Sequence, residues 1–150
     1  MTGIVAAGQY ELVTMSIKSH NGFVMDLRQV MASLEIYEDI YSPSMTARLG
    51  IITTEDLVTV LPIIGQEEVI ISVDHPGGRK QIDLHMVVHK IVGFERDNMS
   101  TKFILELVTL DYILNFQTKI SQYFEGPSSD IASQVLSLMG ASKPVSAVSS

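Results

Sequence analysis

Apolar and polar residues alternate along most of this chain, the pattern of strands that bury one face. Alternating stretches cover residues 10–19, 24–41, 45–53, 69–73, 81–95 and 102–109. Turn-forming residues separate them, at His20-Asn21-Gly22, Ser42-Pro43-Ser44, 74–78 and 96–101. The pattern predicts a mainly β protein in which six or seven antiparallel strands form a barrel or a curled sheet.

The alternation also predicts which side chains share a face. In the first strand Met15 and Ile17 lie opposite Leu12. Residues 24–41 form one long strand with a bend or bulge near Gln29, and residues 45–53 present a single apolar face. The same reasoning gives the long strand at 81–95 one continuous apolar face, made of Ile82, Leu84, Met86, Val88, Val92 and Phe94.

Two helices complete the predicted fold, one short and one longer. Thr54-Glu55-Asp56 is a helix start, and Pro62 keeps that helix short because proline disfavours helical geometry at the residue before it. The longer helix runs from Ser128 to Met139, with Ser128 or Ser129 as its cap, and ends at Gly140. Residues 111–116 have the pattern of a helical turn.

The chain is expected to form one domain over residues 1–140, which includes an N-terminal arm at residues 1–9. Residues 141–150 contain four serines, one proline and one charge, which indicates a flexible tail or a truncated linker. At 150 residues the chain is long enough to bury a sizeable core.

Composition excludes several classes of function. Seventeen acids against ten lysines and arginines give a net charge of −7, which disfavours nonspecific binding to duplex DNA. The absence of cysteine excludes disulfides, thiolate catalysis and cysteine–zinc sites. We find no signal peptide and no apolar run of about 20 residues that would cross a membrane, so we expect a soluble cytoplasmic product. A mean hydropathy of +0.27 indicates that partners cover some apolar surface.

The candidate chemical sites are better explained as structure. His85 and His89 lie four apart in a strand pattern, about 13 Å from each other, which is too far for both to bind one zinc ion. The glycine-rich, basic residues 76–80 connect two strands, whereas a phosphate-binding loop leads into a helix. The acids have no nucleophile or base beside them. We therefore predict no catalytic residue, no cofactor site, no metal site and no enzymatic activity.

Two stretches resemble a known family. The run "IYEDIYSPSMTARLGI" followed by "LPIIGQEEVIISV" is similar to the N-terminal tube domain of contractile-phage baseplate hub proteins, a domain type also present in type VI secretion spike proteins. The chain departs from that pattern at Ala47, where the family often has glycine. The downstream stretch "KISQYFEGPSSDIASQVL" resembles the exit segment of the hub. Together the matches span about residues 30 to 139.

The resemblance implies a tail-tube-like fold and a structural function. It indicates a baseplate hub subunit in a ring that joins the tail tube to the central spike, located in the virion tail and assembled in the host cytoplasm. The partners would be other copies of the chain in a trimer or hexamer, the tube and spike proteins, and DNA only as it passes through the lumen. The alternatives are a hexameric tail-tube or adaptor protein, a type VI secretion spike protein and, more remotely, a small β-barrel ligand-binding module or enzyme.

For such a ring we predict two sets of site residues. The first is a contact surface rich in apolar residues, since one short helix and its turn cannot bury all of them: Pro43, Met45, Leu57, Val60, Leu61, Ile63 and Ile64. The second is a lumen-facing strand that carries Glu35 and Asp39, because acidic walls let nucleic acid pass without adhesion.

Overall fold

The computed structural model describes residues 11–42, 44–55, 57–75 and 79–140. The predicted N-terminal arm at 1–9 and the predicted tail at 141–150 lie outside these residues. The chain divides into two compact units, Met1–Thr109 and Leu110–Ser150. The first unit contains the whole sheet and the second contains two helices.

Seven strands form one sheet in the order β2-β1-β5-β6-β7-β4-β3, and all the described pairings are antiparallel. This confirms the predicted curled antiparallel sheet, including both hairpins of the β5–β6–β7 meander. The strand bounds are β1 Glu11–Lys18, β2 Val24–Asp26, β3 Met31–Tyr37, β4 Thr46–Thr53, β5 Glu68–His75, β6 Arg79–Arg96 and β7 Thr101–Thr109.

The core lies on the face that the alternation predicts for the central strands. In β7, Phe103, Leu105 and Leu107 are buried, and β4 opposes them with Ile51, Leu49 and Ala47 in direct register. Met15 and Ile17 of β1, Val69 and Ile71 of β5, and Met86 and Val88 of β6 extend the same cluster. Burial of these side chains is the dominant favourable term of the fold.

Two register shifts correct the predicted faces. The β1–β5 register shifts between Leu12 and Thr14, so Leu12 packs against the same core as Met15 instead of facing away from it. The β6–β7 register shifts between Val88 and Lys90. Beyond this shift Ile91 packs against the core, whereas strict alternation had predicted Val92 on that face. An extra residue in one strand moves the side chains that follow it to the opposite face of the sheet.

The prediction of one long strand at 24–41 is wrong, because β2 and β3 are separate strands joined by a connector at residues 27–30, in which Arg28 and Gln29 are exposed. Leu27 is buried, and its amide donates to the Met15 carbonyl of β1 at 2.9 Å. On the other side the Ile52 amide of β4 donates to the Val30 carbonyl at 2.9 Å. The connector is thus hydrogen-bonded to β1, which lies next to one edge of the sheet, and to β4, which lies next to the other edge. These bonds hold the sheet in its curl.

The short helix α1 spans Leu57–Val60 and ends before Pro62, as predicted. Just before the helix, the Thr53 hydroxyl accepts a hydrogen bond from the Glu55 amide at 3.0 Å. In the second unit, α2 spans Leu110–Gln117 and α3 spans Ser128–Leu138. No helix among the described residues is long and apolar enough to cross a membrane.

The start of α3 differs from the prediction. Pro127 occupies the cap position, and no side chain makes a capping hydrogen bond there, so neither Ser128 nor Ser129 is the cap. The fixed φ of proline already suits the first turn of a helix. At the other end Gly140 has φ +74, a left-handed conformation that stops the helix as expected.

Candidate functional site

The structure separates the predicted contact residues into two groups. Leu57, Leu61 and Ile63 are buried in the core of the sheet unit. Val60 and Ile64 are 60% and 77% exposed, and Pro62 between them is also exposed. We call these three residues the Val60–Ile64 patch. Helical spacing was the signal that could have placed Leu57 and Leu61 on one face, because they are four apart and the Leu61 amide donates to the Leu57 carbonyl. Ile63 and Ile64 lie beyond the helix, where no period in the sequence separates them.

A buried carboxylate holds the loop that carries this patch. The side chain of Glu67 is 0% exposed. Its Oε1 accepts from the Ile64 amide at 2.7 Å, and both of its oxygens lie within 3.2 Å of the Gly65 amide. Hydrogen bonds to a charged acceptor are about twice as strong as neutral ones. Glu67, which sequence analysis treated only as part of a motif, therefore fixes the backbone of Ile64.

His20 and Val88 also hold this loop in place. His20, in the β1–β2 turn, lies with its Nε2 2.9 Å from the Gly65 carbonyl oxygen and 3.4 Å from Glu67 Oε1. Both neighbours are acceptors, so Nε2 carries the proton in this arrangement. The Gln66 amide donates to the Val88 carbonyl at 2.7 Å, and the Val88 amide donates to the Glu67 carbonyl at 2.9 Å.

The backbone of this loop is strained. Gln66 is left-handed with φ +69, the only non-glycine residue with positive φ among those described, and Gly65 precedes it with φ +107. A left-handed residue other than glycine costs about 1–2 kcal/mol and persists where its surroundings hold it. The hydrogen bonds of Glu67, His20 and Gln66 supply that restraint, so the loop that carries Ile64 is held in a fixed conformation.

A second apolar surface lies inside the curl of the sheet. A cleft of about 610 Å³ is lined by Leu34, Ile36, Glu38, Met45, Val73, Ile82 and Leu84. Met45, a predicted contact residue, is half-buried here, while Pro43 lies outside the described residues. Val73, Ile82 and Leu84 were predicted only as a core face. The stagger between strands leaves this part of the face open, and a sequence pattern does not show stagger.

The turn between β3 and β4 exposes two large side chains. Ile40 and Tyr41 are each 90% exposed. Asp39, one of the two predicted lumen residues, lies in this turn rather than in β3, and its carboxylate accepts from the Tyr41 amide at 2.9 Å. Asp39 therefore shapes the turn that displays Ile40 and Tyr41.

Glu35, the other predicted lumen residue, belongs to a row of alternating charge on the outer face of the sheet. In register across four strands, Glu35 lies opposite Arg48, Arg48 opposite Glu106, and Glu106 opposite Lys90. Glu106 lies 3.6 Å from Arg48 and 3.5 Å from Lys90. Each acid in the row has a base beside it, which leaves the row with no net charge.

Tyr37 adds a neutral donor at the end of this row. Its hydroxyl donates to Glu35 Oε2 at 2.6 Å. This hydrogen bond to the carboxylate raises the pKa of Tyr37 above its ordinary value, with burial and the negative charge of Glu35 as smaller causes. The phenol therefore stays protonated, and Glu35 is held by hydrogen bonding as well as by register.

The histidines of β6 do not form a metal site with other described residues. His85 lies 3.7 Å from Glu68, across the β5–β6 pairing. No three His, Cys, Asp or Glu side chains in the described ranges come together as metal ligands.

Comparisons with known proteins place the chain in no named family. No protein-family model matches it, and no curated protein sequence matches it. Solved structures with a similar chain include a lidless PdpA–VgrG complex, with 13% identity and a TM-score of 0.49 over 85% of this chain and 24% of that one. A half-lidded Francisella PdpA–VgrG complex matches with 13% identity and a TM-score of 0.49, over 87% of this chain and 22% of that one. A lidded Francisella PdpA–VgrG complex matches with 12% identity and a TM-score of 0.46, over 85% of this chain and 20% of that one.

The chain thus spans about a quarter or less of the length of the chains it matches. At identities of 12–13% and TM-scores below 0.5, these likenesses establish neither a family nor a function.

Proposed function

We propose that this chain is a structural subunit of a contractile injection machine, with several copies in a ring at the junction of the tail tube and the central spike. The observation that carries the proposal is that large apolar side chains are exposed in turns and loops of the sheet unit, outside its core. Ile40, Tyr41 and Ile64 are 90%, 90% and 77% exposed. Exposed apolar surface of this kind is typical of protein contact sites.

The resemblance to hub and spike tube domains supports the same function, because its motif residues have defined roles in this fold. In "LPIIGQE", Leu61 and Ile63 anchor the loop in the core, Gly65 adopts a left-handed conformation, and Glu67 binds the backbone amides. Pro62, Ile64 and Gln66 are the motif positions left in solvent. The motif therefore presents the apolar side chains of Pro62 and Ile64 on a loop that Glu67 holds by hydrogen bonds.

The mechanism we infer is geometric and non-enzymatic. Each subunit contributes its curled sheet to the wall of a ring, and the lumen admits nucleic acid without holding it. The charge row that includes Glu35 suits such a wall, because its bases are already paired with acids and release few counterions on contact with phosphates. Glu35 stays our candidate for the lumen face.

The phage hub and the secretion spike are two forms of this proposal, and they differ in the structures that the ring joins. A hub ring connects a phage tail tube to its spike, and a hexameric tube or adaptor ring matches the tube subunit for subunit. The number of copies and the protein that binds each end of the ring distinguish these forms.

The test is to purify the full-length protein and count subunits in ring class averages by electron microscopy and by native mass spectrometry. We expect three or six copies. The tube and spike proteins from the neighbouring genes should bind opposite ends of the ring. A folded protein that sediments as a monomer at about 50 μM, where a specific contact should hold, would exclude the proposal.

A further inference from the structure

We propose that the Val60–Ile64 patch of one copy docks into the cleft of the next copy, so that the copies join head to tail. This inference rests on the proposed ring and names its contact surfaces. The occupant of the cleft is thus a second copy of this chain.

The two surfaces lie at opposite ends of one strand. The patch precedes Glu68, the first residue of β5, and the cleft contains Val73, near the end of β5. Five residues of strand separate Glu68 and Val73 by about 17 Å. A patch and a cleft at different places on one molecule form a heterologous contact, and repetition of that contact gives a ring or a filament.

The chemistry of the two surfaces matches. Residues 57–66 carry no charged side chain, and the cleft is lined by six apolar residues and one acid, Glu38. Desolvation of the patch therefore requires no unpaired charge. The Glu38 carboxylate needs a donor, and the side-chain amide of Gln66, an exposed residue beside the patch, can donate to it.

Size and rigidity support the same pairing. The cleft volume of about 610 Å³ is enough for several side chains. The patch is already fixed by Glu67, His20 and Val88, so docking orders little additional backbone. A preorganised segment binds more tightly because less entropy is lost.

Cysteine cross-linking tests the contact, because the native chain has no cysteine. Full-length Ile64→Cys protein is mixed with full-length Ile82→Cys protein under mild oxidation. We expect a cross-linked dimer from the mixture and none from either variant alone, since copies of one residue do not meet in a head-to-tail contact. The double variant should give a ladder of oligomers. A disulfide requires Cα atoms within about 7 Å.

Ile52→Cys is the matched control for the cleft position. Ile52 and Ile82 are both 46% exposed, but Ile52 does not line the cleft. We expect no cross-link between Ile64→Cys and Ile52→Cys. In a companion measurement, Ile64→Asp should raise the dissociation constant of the assembly at least about tenfold, because it would bury a carboxylate. Ile52→Asp should change it less than about threefold.

The outcomes separate this inference from the proposed function. If rings form and the Ile64–Ile82 cross-link is absent, or no stronger than the Ile64–Ile52 one, the head-to-tail contact is wrong and the ring stands. If native mass spectrometry finds a small apolar molecule in a monomer, the cleft is a ligand site and this inference fails. Sedimentation of that monomer at about 50 μM would also exclude the ring.

Discussion

The carboxylate of Glu67 accepts a hydrogen bond from the backbone amide of Ile64 at 2.7 Å, although the side chain of Ile64 is 77% exposed. The backbone and the side chain of Ile64 thus lie in different environments. The backbone is fixed by a buried acid, and the side chain faces solvent. Stability and association should therefore respond to different substitutions in this loop.

We expect Glu67→Ala to destabilise the fold by about 3 kcal/mol, because it leaves two amides without their charged acceptor. The control is Glu68→Ala, at the next position, where the side chain is 44% exposed and lies 3.7 Å from His85. We expect that change to cost less than about 1 kcal/mol. Urea unfolding at one protein concentration measures both. Equal losses would show that Glu67 does not hold the loop.

Leu61 and Val60 are adjacent, yet their truncation should have opposite signatures. Leu61 is 1% exposed in the core, so Leu61→Ala should cost about 2–5 kcal/mol of unfolding free energy. Val60 is 60% exposed, and Val60→Ala should cost less than about 0.5 kcal/mol while weakening self-association. Urea unfolding and sedimentation velocity distinguish the two effects. A stable, non-associating Leu61→Ala protein would contradict this assignment.

The charge row should contribute little to stability. Arg48 and Glu106 are partly exposed, and exposed ion pairs contribute about 0.2–1 kcal/mol. A double-mutant cycle with Arg48→Gln and Glu106→Gln should give a coupling energy in that range. The coupling should fall between about 0.05 M and 0.5 M salt as screening increases. A coupling above about 2 kcal/mol that salt does not change would mean that the row is buried.

The contribution of Asp26 to the stability of the fold should be lost at acidic pH. The side-chain hydrogen bonds from Arg28, followed by the Arg28 amide, hold the pKa of Asp26 below its ordinary value. The stabilising contribution is therefore complete above the unfolded-state value of about 3.9 and is lost as the pH falls through the lowered pKa. NMR titration should show the Asp26 pKa rising in Arg28→Gln. An unchanged titration would remove Arg28 as the cause.

The sequence predicted those parts of the fold in which one period persists. β4 and β7 pair with each other without a register shift, and Leu49, Ile51, Phe103 and Leu105 are buried on the predicted faces. Pro62 correctly limited α1, because its steric effect is local. The register shifts near Val13 and His89 could not be predicted, since neither position carries a glycine or proline and the shift depends on how the neighbouring strand pairs.

The candidate site was predicted in composition more than in arrangement. The apolar stretch at 57–64 was identified, but composition alone does not show that Leu57, Leu61 and Ile63 complete the core. The cleft depends on strands from both halves of the sheet, so Val73 and Ile82 acquire a second role only after folding. Glu67 was missed because a buried acid and a solvated acid look alike in a sequence.

The strand order has a consequence for how the chain reaches this fold. The β5–β6–β7 meander needs only local pairing, whereas β1 must join β5 and β4 must join β7 across about 50 residues of chain. Distant pairings of this kind slow folding, so the meander is expected to form first with both edges open. A β1–β2 or β3–β4 hairpin from a neighbouring chain fits those edges as well as the chain's own. Refolding at high protein concentration should therefore yield strand-exchanged dimers, and refolding at low protein concentration should suppress them.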